Sequence, residues 1–145
     1  MLLVIEELFD LRSDDALKAA SAFGGGIGRM GSACGALIGG SMALSLLYGR
    51  NYDDMLKGYQ SGKDKSEGKL AILTKKLGDK FEQEYNSLLC NDIEKKIFGR
   101  SFDKWNPAER REKEEMGGHK DKCPSVVGKA ARWVAELILD EQGRR

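Results

Sequence analysis

The sequence predicts an all-α protein, a compact helical bundle around a central helix faced with glycine and alanine. Three observations carry this. Apolar residues recur every three or four positions along most of the chain, as a helix face requires, and no stretch alternates with period two over a useful length. The run from Ser32 to Tyr48 has no charge and follows a stripe in which Gly31, Gly35, Gly39 and Ala43 fall four apart, a smooth face for another backbone. Finally, 145 residues suit one domain, 1–145, large enough to bury a core.

Each element has its own signal. Leu2, Leu3, Ile5, Leu8, Phe9 and Leu11 share helical spacing, with Glu6, Glu7 and Asp10 opposite, so a first helix should end near Arg12. Ser13 before Asp14 and Asp15 reads as an N-cap with acidic residues in the first turn, opening a second helix that carries Ala16, Leu17, Ala20 and Phe23. Five glycines between Gly24 and Gly31 would each cost about 1 kcal/mol in a helix interior. They define a loop. Ser32 is the expected cap of the central helix, which would put Cys34 in its first turn, and Gly49 and Asn51 end it.

Tyr52, Met55, Leu56 and Tyr59 space a short fourth helix, followed by a polar, mobile connection over 60–68. Leu70, Leu73, Leu77, Phe81 and Tyr85 predict a fifth helix despite Gly78. Asn86 and Ser87 read as a break and a new cap, which places Cys90 at N3 of a sixth helix bearing Ile93, Ile97 and Phe98 and closed by Gly99. Residues 100–122 form the most polar stretch. Within it Asn106, Pro107 and Glu109 fit cap, N1 and N3 of a helix stopped by Gly117 and Gly118. Charge nearly all round that helix predicts a solvated excursion, pinned to the body by Trp105. Cys123 before Pro124 reads as the N-cap of the last helix, whose buried face is Val126, Val127, Ala130, Val134, Leu137 and Ile138.

Composition excludes several functions. Lys and Arg number 24 against 23 Asp and Glu, a net charge of +1, which gives no electrostatic case for nucleic acid or an anionic membrane. The opening MLLVIEELFDL lacks a basic leader and turns acidic early, so a cytoplasmic protein is expected. The uncharged run from Met30 to Gly49 is long enough to cross a bilayer but too rich in glycine and serine, and a buried helix without membrane insertion is expected instead. Gly26, Gly28 and Gly31 fit a dinucleotide-binding fingerprint, yet that motif needs a strand before it, where residues 14–23 have helical spacing. No hydrolase triad or haem-attachment motif is present in the sequence.

The remaining chemistry lies in the cysteines. Three, far apart and odd in number, do not make a secreted disulfide scaffold. Cys34, Cys90 and Cys123 each fall at or near a predicted helix start, where free N–H groups and the helix dipole favour a thiolate. If those ends converge, the pocket could do dithiol chemistry, hold a metal or an iron–sulfur cluster, or bind an anion; otherwise the cysteines fill space. Cys34 is the expected attacking thiolate, with a pKa below that of a free cysteine and Cys90 or Cys123 as its disulfide partner. Gly24, Gly25, Gly26, Gly28 and Gly35 are the candidate lining for a substrate or a cofactor of unspecified kind. His119, the one histidine, is a further candidate ligand beside Cys123. A redox partner or small molecule is expected to use the site, while the small-residue stripe leaves a helical interaction protein or a homo-oligomer open.

Phe23-Gly24-Gly25-Gly26, then Cys34-Gly35-Ala36-Leu37-Ile38-Gly39, Tyr48-Gly49, Cys90, and Cys123-Pro124 with Val126 and Val127 resemble the C-GCAxxG-C-C family of redox-active proteins. The resemblance runs from Glu6 to about Leu139. It implies a small prokaryotic cytoplasmic protein whose redox role rests on its cysteines. The family's first cysteine lies upstream of the part matching Glu6 to Leu11, and this chain starts after it. The resemblance therefore implies three thiols here where the pattern has four, too few for two disulfides.

Overall fold

A computed structural model describes residues 1–61 and 68–143. Eight α-helices follow one another within them: α1 (Leu2–Phe9), α2 (Asp14–Ala20), α3 (Gly35–Tyr48), α4 (Tyr52–Ser61), α5 (Lys69–Tyr85), α6 (Cys90–Phe98), α7 (Pro107–Glu115) and α8 (Cys123–Glu141). A 3-10 turn, Ser21–Phe23, extends α2, and a π-turn, Gly118–Lys122, runs into α8. The all-α bundle is as the periodicity predicts. Of the connection expected over 60–68, Gln60 and Ser61 complete α4, Gly68 precedes α5, and 62–67 lie outside the described residues.

The caps show why the helices start where they do. Ser13 Oγ accepts the Ala16 N–H at 3.2 Å, and Asn106 Oδ1 accepts the N–H groups of Ala108 and Glu109 at the head of α7, each satisfying donors the helix leaves unpaired. At its other end α5 closes on Asn86 in the left-handed conformation (φ 56°), whose N–H bonds the Glu82 carbonyl.

The small face of α3 puts that helix at the centre. It packs against α1, α5 and α8, and Ala36, Gly39, Gly40, Ala43 and Leu44 are its buried residues. Gly40, which lies off the predicted stripe, lets α5 and α8 come close: a Cβ there would come within 2.8 Å of Leu77 Cδ2 and 3.0 Å of Val134 Cγ2. The facing rows are Leu73, Leu77 and Phe81 of α5 and Ala130, Val134 and Ile138 of α8, all buried. Phe81 meets Trp133 edge to face, with ring centroids 5.5 Å apart. Burial of each large side chain of this kind stabilises the fold by about 1.5–3 kcal/mol.

Four predicted starts and anchors are corrected. The central helix starts at Gly35, with Cys34 as its N-cap, because residues 32–34 are drawn out straight. The Cys34 N–H donates to the Leu88 carbonyl (2.9 Å), the Cys90 N–H to the Ser32 carbonyl (2.7 Å), and Ala33 bridges Leu89 in antiparallel sense. The same pairing makes Leu89 the N-cap of α6 and Cys90 its first residue, while Ser87 Oγ instead accepts the Leu89 N–H and donates to Asp92. Cys123 is likewise a first residue, because the π-turn passes straight into α8 with Lys122 as the cap. Trp105 does not anchor the excursion: it is 68% exposed, and Phe102, at 3%, is the aromatic that is buried.

Candidate functional site

The short antiparallel pairing of 32–34 with 88–90 brings two cysteines together. Ala33 opposes Leu89, so Cys34 and Cys90 flank the bridge diagonally and, by the alternation of extended chains, lie on the same face. Helices α3 and α6 leave the ribbon from these two residues. The glycine loop packs directly upon it. Gly26, at φ 80°, lies so close that a Cβ would sit 2.7 Å from the Cβ of Cys90 and 2.6 Å from the Ser32 nitrogen. Gly31, at φ 74°, lies against the Asn91 amide, 2.1 Å from an added Cβ. Gly35 passes the Phe23 carbonyl at 2.8 Å on the same measure, and Gly25 and Gly28 adopt positive φ, whereas Gly24 has open space beside it. Backbone conformation and close approach thus account for most of the loop's glycines.

Beneath the ribbon lies a set of charged side chains that sequence reasoning missed. Glu94 is 1% exposed, Lys104 4% and Lys113 6%. Glu94 Oε1 accepts from Lys113 Nζ at 2.7 Å, and Glu94 Oε2 accepts from Lys104 Nζ at 2.9 Å and from the Phe102 N–H at 3.3 Å. Lys104 also donates to Asn91 Oδ1 (2.9 Å) and to the Phe102 carbonyl (3.4 Å). Both lysines belong to the stretch 100–122, so the expected solvated excursion is instead the element that carries two cations inward. Part of this was legible, since Glu94 follows Cys90 by four residues and shares its helix face. Lys113 was not, because the charged pattern of α7 shows no inner side.

All three thiols feel the charges of this ion pair. Cys90 Sγ stands 4.0 Å from Glu94 Oε1. Cys34, Cys90 and Cys123 each come within the electrostatic reach of both Glu94 and Lys113, and Cys34 acts on each of the other two. The Lys113 ammonium acts on Cys123 as a nearby positive charge that pulls its thiol down. No disulfide joins them: all three are free, Cys34 buried, Cys90 and Cys123 half-buried. The three helix starts therefore lie within electrostatic reach of one buried ion pair.

Their acidity runs against expectation. Burial raises the Cys34 thiol above its ordinary value even though the N–H groups of Ala36 and Leu37 pull it down. Burial pushes Cys90 up to about 12, with Lys104 opposing and Glu94 adding. Burial also raises Cys123, against the pull of Lys113. A helix terminus contributes about 0.3–1 kcal/mol at an exposed site, whereas removing an ion from water costs several. Desolvation wins here, and the predicted low pKa of Cys34 is overturned. Lys113 itself is raised: burial works to lower it, but Glu94 and the neighbouring Cys123 outweigh that.

His119 lies apart in character. Its ring is exposed and its Nδ1 is taken by Glu114, and among the described residues no three His, Cys, Asp or Glu side chains are grouped to hold a metal ion. Nor is any helix among them long and apolar enough to cross a membrane. Beside the site a cleft of about 400 Å³ opens between the glycine loop and residues 101–105, lined by Arg29, Met30, Asn91, Lys104 and Trp105 among others.

A sequence model of the family described as "Putative redox-active protein (C_GCAxxG_C_C)" matches residues 1–137. The chain belongs to this family. The match spans all three cysteines, the glycine loop and the three buried charges, so C_GCAxxG_C_C membership and the site fall on the same part of the molecule. No curated protein matches the chain. No solved structure matches it either.

Proposed function

We propose that the chain is a thiol redox protein whose Cys34, Cys90 and Cys123 interconvert between dithiol and disulfide forms. The observation that carries this reading is that Cys90, set beside Cys34 by the ribbon, stands 4.0 Å from the buried Glu94 that Lys113 holds, with Cys34 and Cys123 within reach of the same charges. Cysteines that only fill space need no buried charge beside them, and a buried ion pair is a weak stabiliser compared with apolar packing. Two ammoniums against one carboxylate leave a surplus positive charge, which favours a thiolate once one forms. Burial raises all three thiols and so keeps them protonated at neutral pH, which slows their oxidation until a partner approaches.

With a small disulfide R–S–S–R as oxidant, two cysteine thiols become one intrachain disulfide and two R–SH are released, with the two cysteine protons passing to the leaving thiolates. The test is a thiol count on reduced protein, then treatment with glutathione disulfide and mapping of the product by mass spectrometry. One intrachain disulfide among the three cysteines, reversed by dithiothreitol, is the expected outcome. Three thiols that stay free throughout would overturn the reading.

A further inference from the structure

The cleft beside the thiols stands between two stiff walls. On one side the glycine loop carries Arg29 and Met30. Arg29 is held in the left-handed conformation (φ 64°), with its N–H donating to the Gly24 carbonyl at 3.0 Å. Its side chain is exposed and makes no hydrogen bond or ion pair among the described residues. On the other side the turn 103–106 is tied down: the Asp103 N–H donates to Glu109 Oε2 (2.8 Å), the Trp105 N–H to Asp103 Oδ1 (2.9 Å) and the Asn106 N–H to the Asp103 carbonyl (3.1 Å). Trp105 and Met30 both stay largely exposed at the cleft. At about 400 Å³ the space has the size of a small-molecule site. Of the charged residues lining it, Lys104 spends its three donors on Glu94, Asn91 and the Phe102 carbonyl. That leaves one cation, Arg29, and one anion, Asp103, whose carboxylate has acceptor positions beyond the one the Trp105 N–H takes. The cleft adjoins the thiols through shared partners. Asn91, next to Cys90, lines it, and Lys104 bonds Glu94 Oε2 at 2.9 Å while Glu94 Oε1 stands 4.0 Å from Cys90 Sγ.

We propose that this cleft binds the zwitterionic head of a small amino-acid-derived disulfide. Arg29 holds its α-carboxylate, Asp103 holds its α-ammonium, and Met30 and Trp105 flank the chain that bears the sulfurs. A guanidinium without an acidic partner matches a carboxylate through two parallel N–H···O bonds, and an indole face accepts an ammonium or its methylenes. One free cation and one free anion suit a group that carries both charges. A phosphate dianion would instead meet Asp103 as a like charge, which costs affinity. The inference rests on the dithiol reading above and names the class of R in its oxidant R–S–S–R. The exchange itself is unchanged: two cysteine thiols become one disulfide, and R–S–S–R leaves as two R–SH. Arg29 and Asp103 bind and orient, and no proton passes through them.

The experiment is calorimetric titration of the reduced protein with S-methylglutathione, which carries the zwitterionic head but has no S–S bond to exchange. The parent should bind with a Kd of about 0.1–1 mM. Arg29→Met should weaken binding about tenfold. Asp103→Asn, which keeps an acceptor for the Trp105 N–H, should weaken it about threefold. Arg29→Gly suits the positive φ and so keeps the fold, and it should lose as much affinity as Arg29→Met. Inorganic phosphate should bind at least about tenfold more weakly than the thioether. No heat up to about 10 mM, unaltered binding in Arg29→Gly, or phosphate binding as tightly would overturn the assignment. With glutathione disulfide as oxidant, Arg29→Gly should raise the half-saturating concentration about tenfold and leave the rate at saturation within about twofold of the parent. A protein that forms its disulfide yet takes up no S-methylglutathione fails this inference alone, and one that binds the thioether yet forms no disulfide fails the dithiol reading alone.

Discussion

The Cβ that Gly26 lacks would lie 2.7 Å from the Cβ of Cys90. The loop that looks in sequence like a ligand cradle is, at this residue, a backbone wall set directly on a thiol. Residues 25, 26, 27, 28, 29 and 31 all have positive φ, Ile27 and Arg29 among them without being glycine. Two side-chain-bearing residues in that region store strain that the surrounding contacts must hold.

A first prediction separates packing from conformation. Gly26→Ala must overcome both a left-handed backbone and a clash with Ser32 and Cys90, and should destabilise the protein by about 2–4 kcal/mol. Gly28 shares the positive φ, but an added Cβ there meets only the end of Met30 at 3.9 Å. Gly28→Ala should therefore cost about 1–2 kcal/mol, from conformation alone. Urea unfolding of both variants measures the gap, and equal losses would show that the contact with Cys90 is not tight.

A second prediction concerns the buried ions. Glu94→Ala leaves Lys104 and Lys113 buried without their shared carboxylate, and should cost about 3–5 kcal/mol or prevent folding. Replacing the set together, by Glu94→Leu, Lys104→Met and Lys113→Met, removes the uncompensated charge and should recover most of that loss while abolishing the charge surplus at the thiols. Thermal melts of the two proteins decide it: a triple variant no better than Glu94→Ala would mean that the ions are needed for the fold itself.

How much of this the sequence disclosed depends on which interaction sets each feature. Helix starts governed by local chemistry were legible, as at Ser13, and at Asn106 with Pro107, because a cap is written within four residues. The cysteine placements were each right to within two positions, and the shifts have one kind of cause: a non-local pairing of 32–34 with 88–90, or a π-turn, that no local spacing announces. The inward turn of Lys113 was hidden for a different reason. Its partner Glu94 is 19 residues away, and a helix charged on every side displays no periodicity from which an inner face can be read. The error over thiol acidity was one of magnitude, since the dipole argument was sound in sign but smaller than desolvation.

A third prediction follows from that acidity. Burial raises the folded-state pKa of Cys90 from 9.0 to about 12, so the folded protein holds this proton more tightly than the unfolded chain does. The stability this contributes is intact below about pH 9 and is lost as the pH climbs toward about 12. Lys113 and Tyr85, also raised, lose theirs in the alkaline range too. Cys90→Ala should therefore show a shallower alkaline fall in melting temperature than the parent, with little difference in slope at neutral pH. Parallel curves across the alkaline range would contradict the burial of that thiol.

The last prediction uses a buried carboxyl group that accepts no hydrogen bond among the described residues. Glu6 is 2% exposed, and neither of its carboxylate oxygens has a hydrogen-bond partner among the described residues. It lies in α1, which packs on α3 and α8 away from the α6–α7 charges in the order of the chain. Burying a carboxyl group without a compensating bond costs about 1–3 kcal/mol on the evidence of protein variants. Replacement by an apolar side chain of similar length removes that cost without opening a cavity. Glu6→Met should thus raise the unfolding free energy by about 1–3 kcal/mol, whereas Glu6→Ala should gain less, because the lost methylenes leave a void. Both are read from urea unfolding at neutral pH. A clear loss of stability in Glu6→Met would mean that the carboxylate is satisfied in solution by a cation or a water, and would make Glu6 a ligand rather than a residue kept at a cost to the fold.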